Sequence, residues 1–457
     1  MPDQAFLGTA FHAPAPDRLD VLENSLIVVD DNGMITAVHA SGSTDALSEA
    51  ERFRASGRLV VLKPGQFLLP GLIDLHVHAP QWPQLGKALD VPLEVWLQKY
   101  TFPLEARYAD TGFAEPIYES LVDSLLANGT TTALYFATTH LPATELLANI
   151  CLRRGQRALI GKVAMDDPNE CPSYYRDASA ELAAADTRAF IDYVRRLPGN
   201  ETQLIQPVVT PRFIPSCTDD LLFRLGGLAK ETGCHVQTHC SESDWEHDFV
   251  IARCGMTDAE ALDRFGLLTR KTVLAHGNFL GDTDIALIKQ KGAGIAHCPL
   301  SNVYFANAVL PVRKLIDQDV HVGLGTDIAG GASPSIFDNA RQAVVASRSL
   351  EGGVDVAIPP DRRGVPDSRI TAVEAFWLAT AGGGIALDMP IGVFAPAYQF
   401  DAILVDANAG DSNLLLYPDD GPYDILQKII YSAGRTNVSK VWVAGRLVRT
   451  IGPKSQD

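Results

Sequence analysis

Pro70-Gly71-Leu72-Ile73-Asp74-Leu75-His76-Val77-His78 is an apolar run that closes on two histidines two residues apart. On a β-strand successive side chains alternate between faces, so both imidazoles leave the same face, which is the geometry for gripping one metal ion. The pair alone also fits an ordinary polar strand edge. The rest of the chain raises the metal reading, because His239, His276 and Asp327 each stand near the end of a strand-like run of their own.

Outward from this stretch, apolar strand-like runs alternate with segments of helical periodicity. The runs are 67–78, 129–137, 158–165, 204–210, 235–239, 272–276, 292–297 and 321–326. Between them, segments such as 113–127, 141–154, 178–196, 218–232 and 282–291 mix apolar and charged residues at helix spacing. Alternating βα units predict a parallel sheet, and eight of them close a (β/α)8 barrel of the α/β class. Barrel enzymes place their chemistry at the carboxyl ends of the strands. The polar residues fall there: His76 and His78 end the first run, Arg212 follows the fourth, His239 and Glu242 the fifth, His276 the sixth and Asp327 the eighth. Taken singly, each has an ordinary explanation, a hydrogen-bonded core histidine or, for Asp327, a helix cap. Their joint placement argues for a site.

The flanks read differently. Residues 25–30 and 33–38 are short strands split by the turn signal Asp31-Asn32-Gly33, and 400–406 and 438–448 repeat the pattern. Both termini are therefore expected to pair in a small β-sandwich beside the barrel, with 1–69 and 386–457 as its two parts and 70–385 as the barrel. The net charge of −17 opposes sizeable contact with nucleic acid or anionic lipid. A small, uncharged or cationic substrate fits better. No leader pattern opens the chain and no apolar run reaches membrane length, so a cytoplasmic protein is expected. The seven cysteines, odd in number and irregularly spaced, read as reduced thiols.

Imidazoles with one carboxylate and no thiolate cluster suit zinc, although iron, cobalt or manganese enter the same kind of site. Glu242, three residues beyond His239, is the candidate proton shuttle. Asp327 is the candidate for touching the metal while holding the attacking water. His276 is either a hydrogen-bonding partner behind the ligands or an additional ligand.

The stretches 70–78, Thr238-His239-Cys240-Ser241-Glu242, Ala275-His276-Gly277 and Gly323-Leu324-Gly325-Thr326-Asp327 resemble the amidohydrolase superfamily over nearly the whole chain. The segments His78-Ala79-Pro80-Gln81, 96–105, 129–132, 161–166, Thr210-Pro211-Arg212-Phe213, 297–302 and 325–331 narrow the likeness to the guanine deaminase family. That resemblance implies one zinc ion per subunit on His76, His78, His239 and Asp327, with Glu242, Asp327 and His276 as the catalytic set. It implies guanine as substrate, contacted by Gln81, Arg212, Phe213, Glu242 and Asp327, with xanthine and ammonia as products, and a homodimer. Leu300 stands where an asparagine is expected, and 243–247 is unusual for the family.

Guanine shows a carbonyl oxygen where adenine shows an amino group, and an arginine only donates hydrogen bonds, so Arg212 is expected to favour guanine. Gln81 donates and accepts through one amide, and Phe213 offers an apolar face to the ring. The rival readings are a related amidohydrolase acting on another purine, a pterin or a triazine, and a binuclear hydrolase bridged by a carboxylated Lys162. For Lys162 a structural salt bridge is preferred. A non-catalytic scaffold is the remaining alternative.

Overall fold

The computed structural model describes residues 3–306 and 308–451. Its strands are β1 (Gln4–Ala15), β2 (Arg18–Val29), β3 (Ile35–His39), β4 (Leu59–Val61), β5 (Gln66–Pro70), β6 (Leu72–His78), β7 (Thr130–Phe136), β8 (Arg157–Gly161), β9 (Val163–Ala164), β10 (Ile205–Pro211), β11 (His235–Cys240), β12 (Thr272–His276), β13 (Gly294–His297), β14 (His321–Leu324), β15 (Ala402–Asp406), β16 (Val438–Val443) and β17 (Arg446–Thr450).

Strands β6, β7, β8, β10, β11, β12, β13 and β14 follow one another in a parallel sheet, with β9 attached to β10. The segment after β14 returns to β6: the Asp327 amide donates to the His76 carbonyl at 2.8 Å and the His78 amide to the Ile328 carbonyl at 2.9 Å. This seam brings the two ends of the sheet together into a nearly closed (β/α)8 barrel. The helices expected at 141–154, 218–232 and 282–291 are observed as Leu141–Arg154, Asp219–Thr232 and Asp282–Lys291. Side chains at Ser179, Thr218 and Ser243 accept from backbone amides of the first turn and fix three helix starts.

Two expected strands are divided. The run 158–165 breaks at Lys162 into β8 and β9. The run 67–78 breaks at Gly71, where a Cβ would lie 2.1 Å from Thr131 Oγ1. Only glycine lets the chain pass so close while leaving one sheet for the other. Before the break, β5 pairs with β15, Pro70 opposite Ala402 and Gln66 opposite Asp406. The two termini are thus joined in one eight-stranded sheet of order β17-β16-β15-β5-β1-β2-β3, with β4 on β1. Phe6 on β1 and Trp442 on β16 are separated by two strands in that order, yet their rings lie 5.3 Å apart. Strands spaced about 4.8 Å apart in a flat sheet would hold them much farther apart, so the sandwich is a single sheet folded over on itself.

Inside the barrel, Ile73, Leu75, Leu134, Leu159, Val208, Val273 and Ala296 form one buried layer from six strands. Burying each such side chain contributes roughly 1.5–3 kcal/mol. Strict alternation would turn His76 and His78 away from Ile73 and Leu75. The β6–β7 pairing slips between Asp74 and Val77, and this irregularity returns the histidines to the interior above the apolar layer. Among the described residues no helix is long and apolar enough to cross a membrane.

Candidate active site

The histidine cluster sits where β6, β11 and β12 end. Ligand atoms of His76, His78 and His239 lie within 4.8 Å of one another, as do those of His76, His276 and Asp327. His76 Nε2 is 3.1 Å and His78 Nε2 3.6 Å from the same Asp327 oxygen. His239 Nδ1 faces the Arg212 carbonyl at 2.6 Å, and a carbonyl only accepts, so the proton is on Nδ1 and the Nε2 lone pair is free. That lone pair points at His78 Nε2, 3.0 Å away. Burial, reinforced by the neighbouring imidazoles, holds His76, His78 and His239 well below the ordinary histidine range. Both ring nitrogens of His76 lack a hydrogen-bond partner among the described residues. Neutral imidazoles converging with lone pairs on one carboxylate are a donor set that fits a divalent ion.

His276 stands beside this set. Its Nδ1 meets Asn302 Oδ1 at 2.9 Å, and its Nε2 lies 3.6 Å from Glu242 Oε1 and 3.9 Å from Asp327 Oδ2. Both His276 and Asp327 have left-handed backbones, with φ of +72° and +49°, strain of the kind that concentrates where a side chain must be aimed. Asp74 holds the Asp327 segment: its carboxylate accepts from the Thr326 amide at 2.9 Å, the Thr326 hydroxyl at 2.5 Å and the His76 amide at 3.2 Å. Burial pushes Asp74 up to about 7, and these hydrogen bonds offset only part of that.

A cleft opens over the cluster. His78, His239, Glu242 and Asp327 form its floor, Arg212, Gln81 and Phe213 stand on its walls, and Leu93, Trp96 and Phe305 flank it. Gly330 also lines it, and a Cβ there would approach Asp327 Oδ2 to 2.8 Å. Burial, then the charge of Asp327, raises Glu242 well above the usual carboxylate range.

Arg212 is held by an ion pair and still faces the cleft. Its Nη1 donates to Glu105 Oε2 at 2.7 Å and its Nη2 to Oε1 at 3.3 Å, while the guanidinium still lines the cleft. That pair uses two of an arginine's five donor hydrogens and leaves three. Burial works against its charge, and Glu105 more than offsets this, so its pKa is raised. Lys162, wholly buried, is committed to an ion pair with Asp177, as the structural reading expected.

The amidohydrolase family model matches residues 67–448. The chain belongs to the amidohydrolase family. A probable guanine deaminase of Schizosaccharomyces pombe is 39% identical over 97% of this chain and 83% of its own length. A solved guanine deaminase from C. acetobutylicum, with guanine bound in its active site, is 30% identical with a TM-score of 0.85, covering 97% of this chain and 99% of that one. A solved adenosine deaminase from Xanthomonas campestris with bound zinc is 26% identical with a TM-score of 0.79, over 98% of this chain and 92% of that one.

In this amidohydrolase the residues that sequence reasoning left without a role are Glu105, Asp74 and Asn302. Asp74 carried a signal, an acid inside an apolar run. Glu105 closes the helical stretch Phe102–Glu105, and its partner Arg212 is 107 positions away, a separation with no periodicity to betray it. The two departures from the family pattern lie off the cleft wall. Leu300 is not among the residues lining it. In 243–247, Trp245 packs 5.9 Å from the Phe213 ring, and Glu246 accepts the Glu242 amide at 2.8 Å, so the segment backs the site from behind.

Proposed function

We propose that this amidohydrolase holds one zinc ion on His76, His78, His239 and Asp327 and hydrolyses guanine to xanthine and ammonia. The observation that carries the reading is one small cleft with two opposed chemistries. Its floor is the imidazole and carboxylate cluster beside Glu242, and its wall is a buried arginine beside an amide and a phenyl ring. Arginine's remaining donors suit the guanine carbonyl oxygen, Gln81 suits an edge carrying both a donor and an acceptor, and Phe213 covers the ring face.

Bound zinc supplies a Lewis acid that lowers the pKa of a water toward neutrality. The chain's own residues do the rest. Asp327 orients the attacking water and takes its proton as the new C–O bond forms at the carbon bearing the amine. Glu242 delivers a proton to the adjacent ring nitrogen, and His276, between Glu242 and Asp327, helps hold both carboxylates in place. Asp327 passes its proton to the departing nitrogen as the C–N bond breaks, and the new hydroxyl returns a proton to Glu242 as it becomes the carbonyl, so water and guanine are accounted for by xanthine and ammonia and both carboxyl groups are restored.

The test is turnover by the zinc-loaded protein, following xanthine and ammonia together, with adenine, cytosine and 8-oxoguanine in parallel. Equal amounts of both products from guanine alone support the reading. A full metal site that leaves guanine untouched moves the substrate to another member of the family.

Arg212→Ala is expected to lower kcat/KM for guanine by about 100-fold or more, in line with losing hydrogen bonds to a substrate carbonyl in a dry pocket, with zinc content unchanged. The same change strands the fully buried Glu105 carboxylate, a loss of about 3–5 kcal/mol unless that group takes up a proton. The melting temperature should therefore fall as well. Unaltered guanine kinetics would remove Arg212 from the site.

The cytoplasm and a homodimer belong to the same reading. All seven cysteines are free, which suits a reducing compartment. The homodimer is carried by the family resemblance, and sedimentation of the purified protein measures it.

A further inference from the structure

Near the cleft Glu105 is fully buried, yet it does not line the cleft itself. Its carboxylate accepts from Arg212 through both oxygens, at 2.7 and 3.3 Å, and from Gln81 Nε2 at 2.9 Å. Arg212 follows β10 and Gln81 follows β6, so one carboxylate ties together the two polar wall residues from separate strands. Glu105 also belongs to the helical stretch that begins at Leu93 and carries Leu93, Trp96 and Leu97 along the cleft.

Gln81 is clamped on both sides. Its Nε2 faces Glu105, which as a carboxylate only accepts, and its Oε1 faces the Ala329 amide at 3.0 Å, which only donates. The amide orientation is therefore determined by its neighbours, and one N–H and one lone pair remain, each at a fixed position. Arg212 is fixed in the same way, since a two-point contact removes the freedom of a long, flexible side chain.

We infer that Glu105 is the positioning residue for substrate recognition: by accepting from Arg212 and Gln81 together it sets which hydrogen-bonding groups face the purine, without touching the purine. This rests on the guanine reading and deepens it. A neutral amide at 105 puts a donor in place of one of the two acceptor oxygens, so it meets either Arg212 or Gln81 donor to donor and releases that side chain from its fixed position.

The experiment is a double-mutant cycle on the zinc-loaded full chain, reading KM and kcat for guanine and zinc content. Glu105→Gln is expected to lower kcat/KM by about 30-fold, chiefly through KM, with zinc content unchanged. In an Arg212→Met background, which removes one of the groups it positions, the same substitution should cost only about 3-fold. A glutamate that only stabilises the fold would lower the melting temperature and leave guanine KM unmoved; that result, or the same KM loss in both backgrounds, overturns the inference. Should Glu105→Gln not fold, Glu105→Asp keeps the charge but shortens the reach, and it should raise KM with zinc content unchanged; an unchanged KM overturns the inference there too. Wild-type turnover of guanine is the control that separates the two claims. Its absence defeats the substrate reading, whereas its presence with a fully additive cycle defeats only the role of Glu105.

Discussion

Glu242→Gln is expected to keep the full complement of zinc and to lower kcat for guanine by about 10³–10⁴-fold, the loss that follows removal of a positioned proton carrier. The substitution is nearly isosteric, and the backbone at 242 is held independently of the side chain. The amide of Glu242 donates to Glu246 at 2.8 Å, and its carbonyl accepts from Asn278 at 2.9 Å. The glutamine should therefore occupy the same space on the cleft floor without being able to take up or release a proton. Folding should not suffer. Burial and the nearby Asp327 already raise Glu242, which means that its charged form is disfavoured in the folded chain, and a neutral amide removes that penalty. The metal-stripped variant should thus melt no lower than the metal-stripped parent. Near-normal turnover would end the shuttle role, and loss of zinc would show that Glu242 belongs to the metal's support instead.

Much of this site was legible because a barrel converts linear position into spatial position. Residues that end parallel strands are gathered at one rim, so His76, His78, His239, His276 and Asp327 meet even though 251 positions separate the first from the last. The helices were legible from their apolar spacing. What the residues could not reveal were the features that depend on slips and long-range pairs. The irregular pairing between Asp74 and Val77 lets both Leu75 and His76 face inward, against the simple alternation of a strand. The break at Gly71 depends on Thr131 across the fold, and the role of Glu105 depends on Arg212 and Gln81, which only the closed barrel brings within reach. Each arises from packing between distant segments and leaves no local pattern.

Removal of the metal by a chelator is expected to abolish guanine turnover, and one equivalent of zinc per chain to restore it. The arrangement of the cluster is that of a donor set for an ion. His78 and His239 bring nitrogens within 3.0 Å of each other, and both nitrogens of His76 lack a hydrogen-bond partner among the described residues. Burial keeps these rings neutral, so they meet an incoming cation as ready lone-pair donors. An ion that binds only the folded chain also stabilises it, by about 2.7 kcal/mol at a free concentration one hundred times its Kd, so the stripped protein should melt measurably lower. His239→Ala should reproduce both effects, because it removes one of the nitrogens while leaving the cleft wall intact. The stoichiometry is the sharper measurement. A second ion bridged by a carboxylated lysine would need Lys162, whose ammonium is buried against Asp177, and modifying it would strand that carboxylate. One zinc per chain, with full activity, agrees with that pairing. A ratio near two would require Lys162 to leave Asp177 and would replace the mononuclear site proposed above.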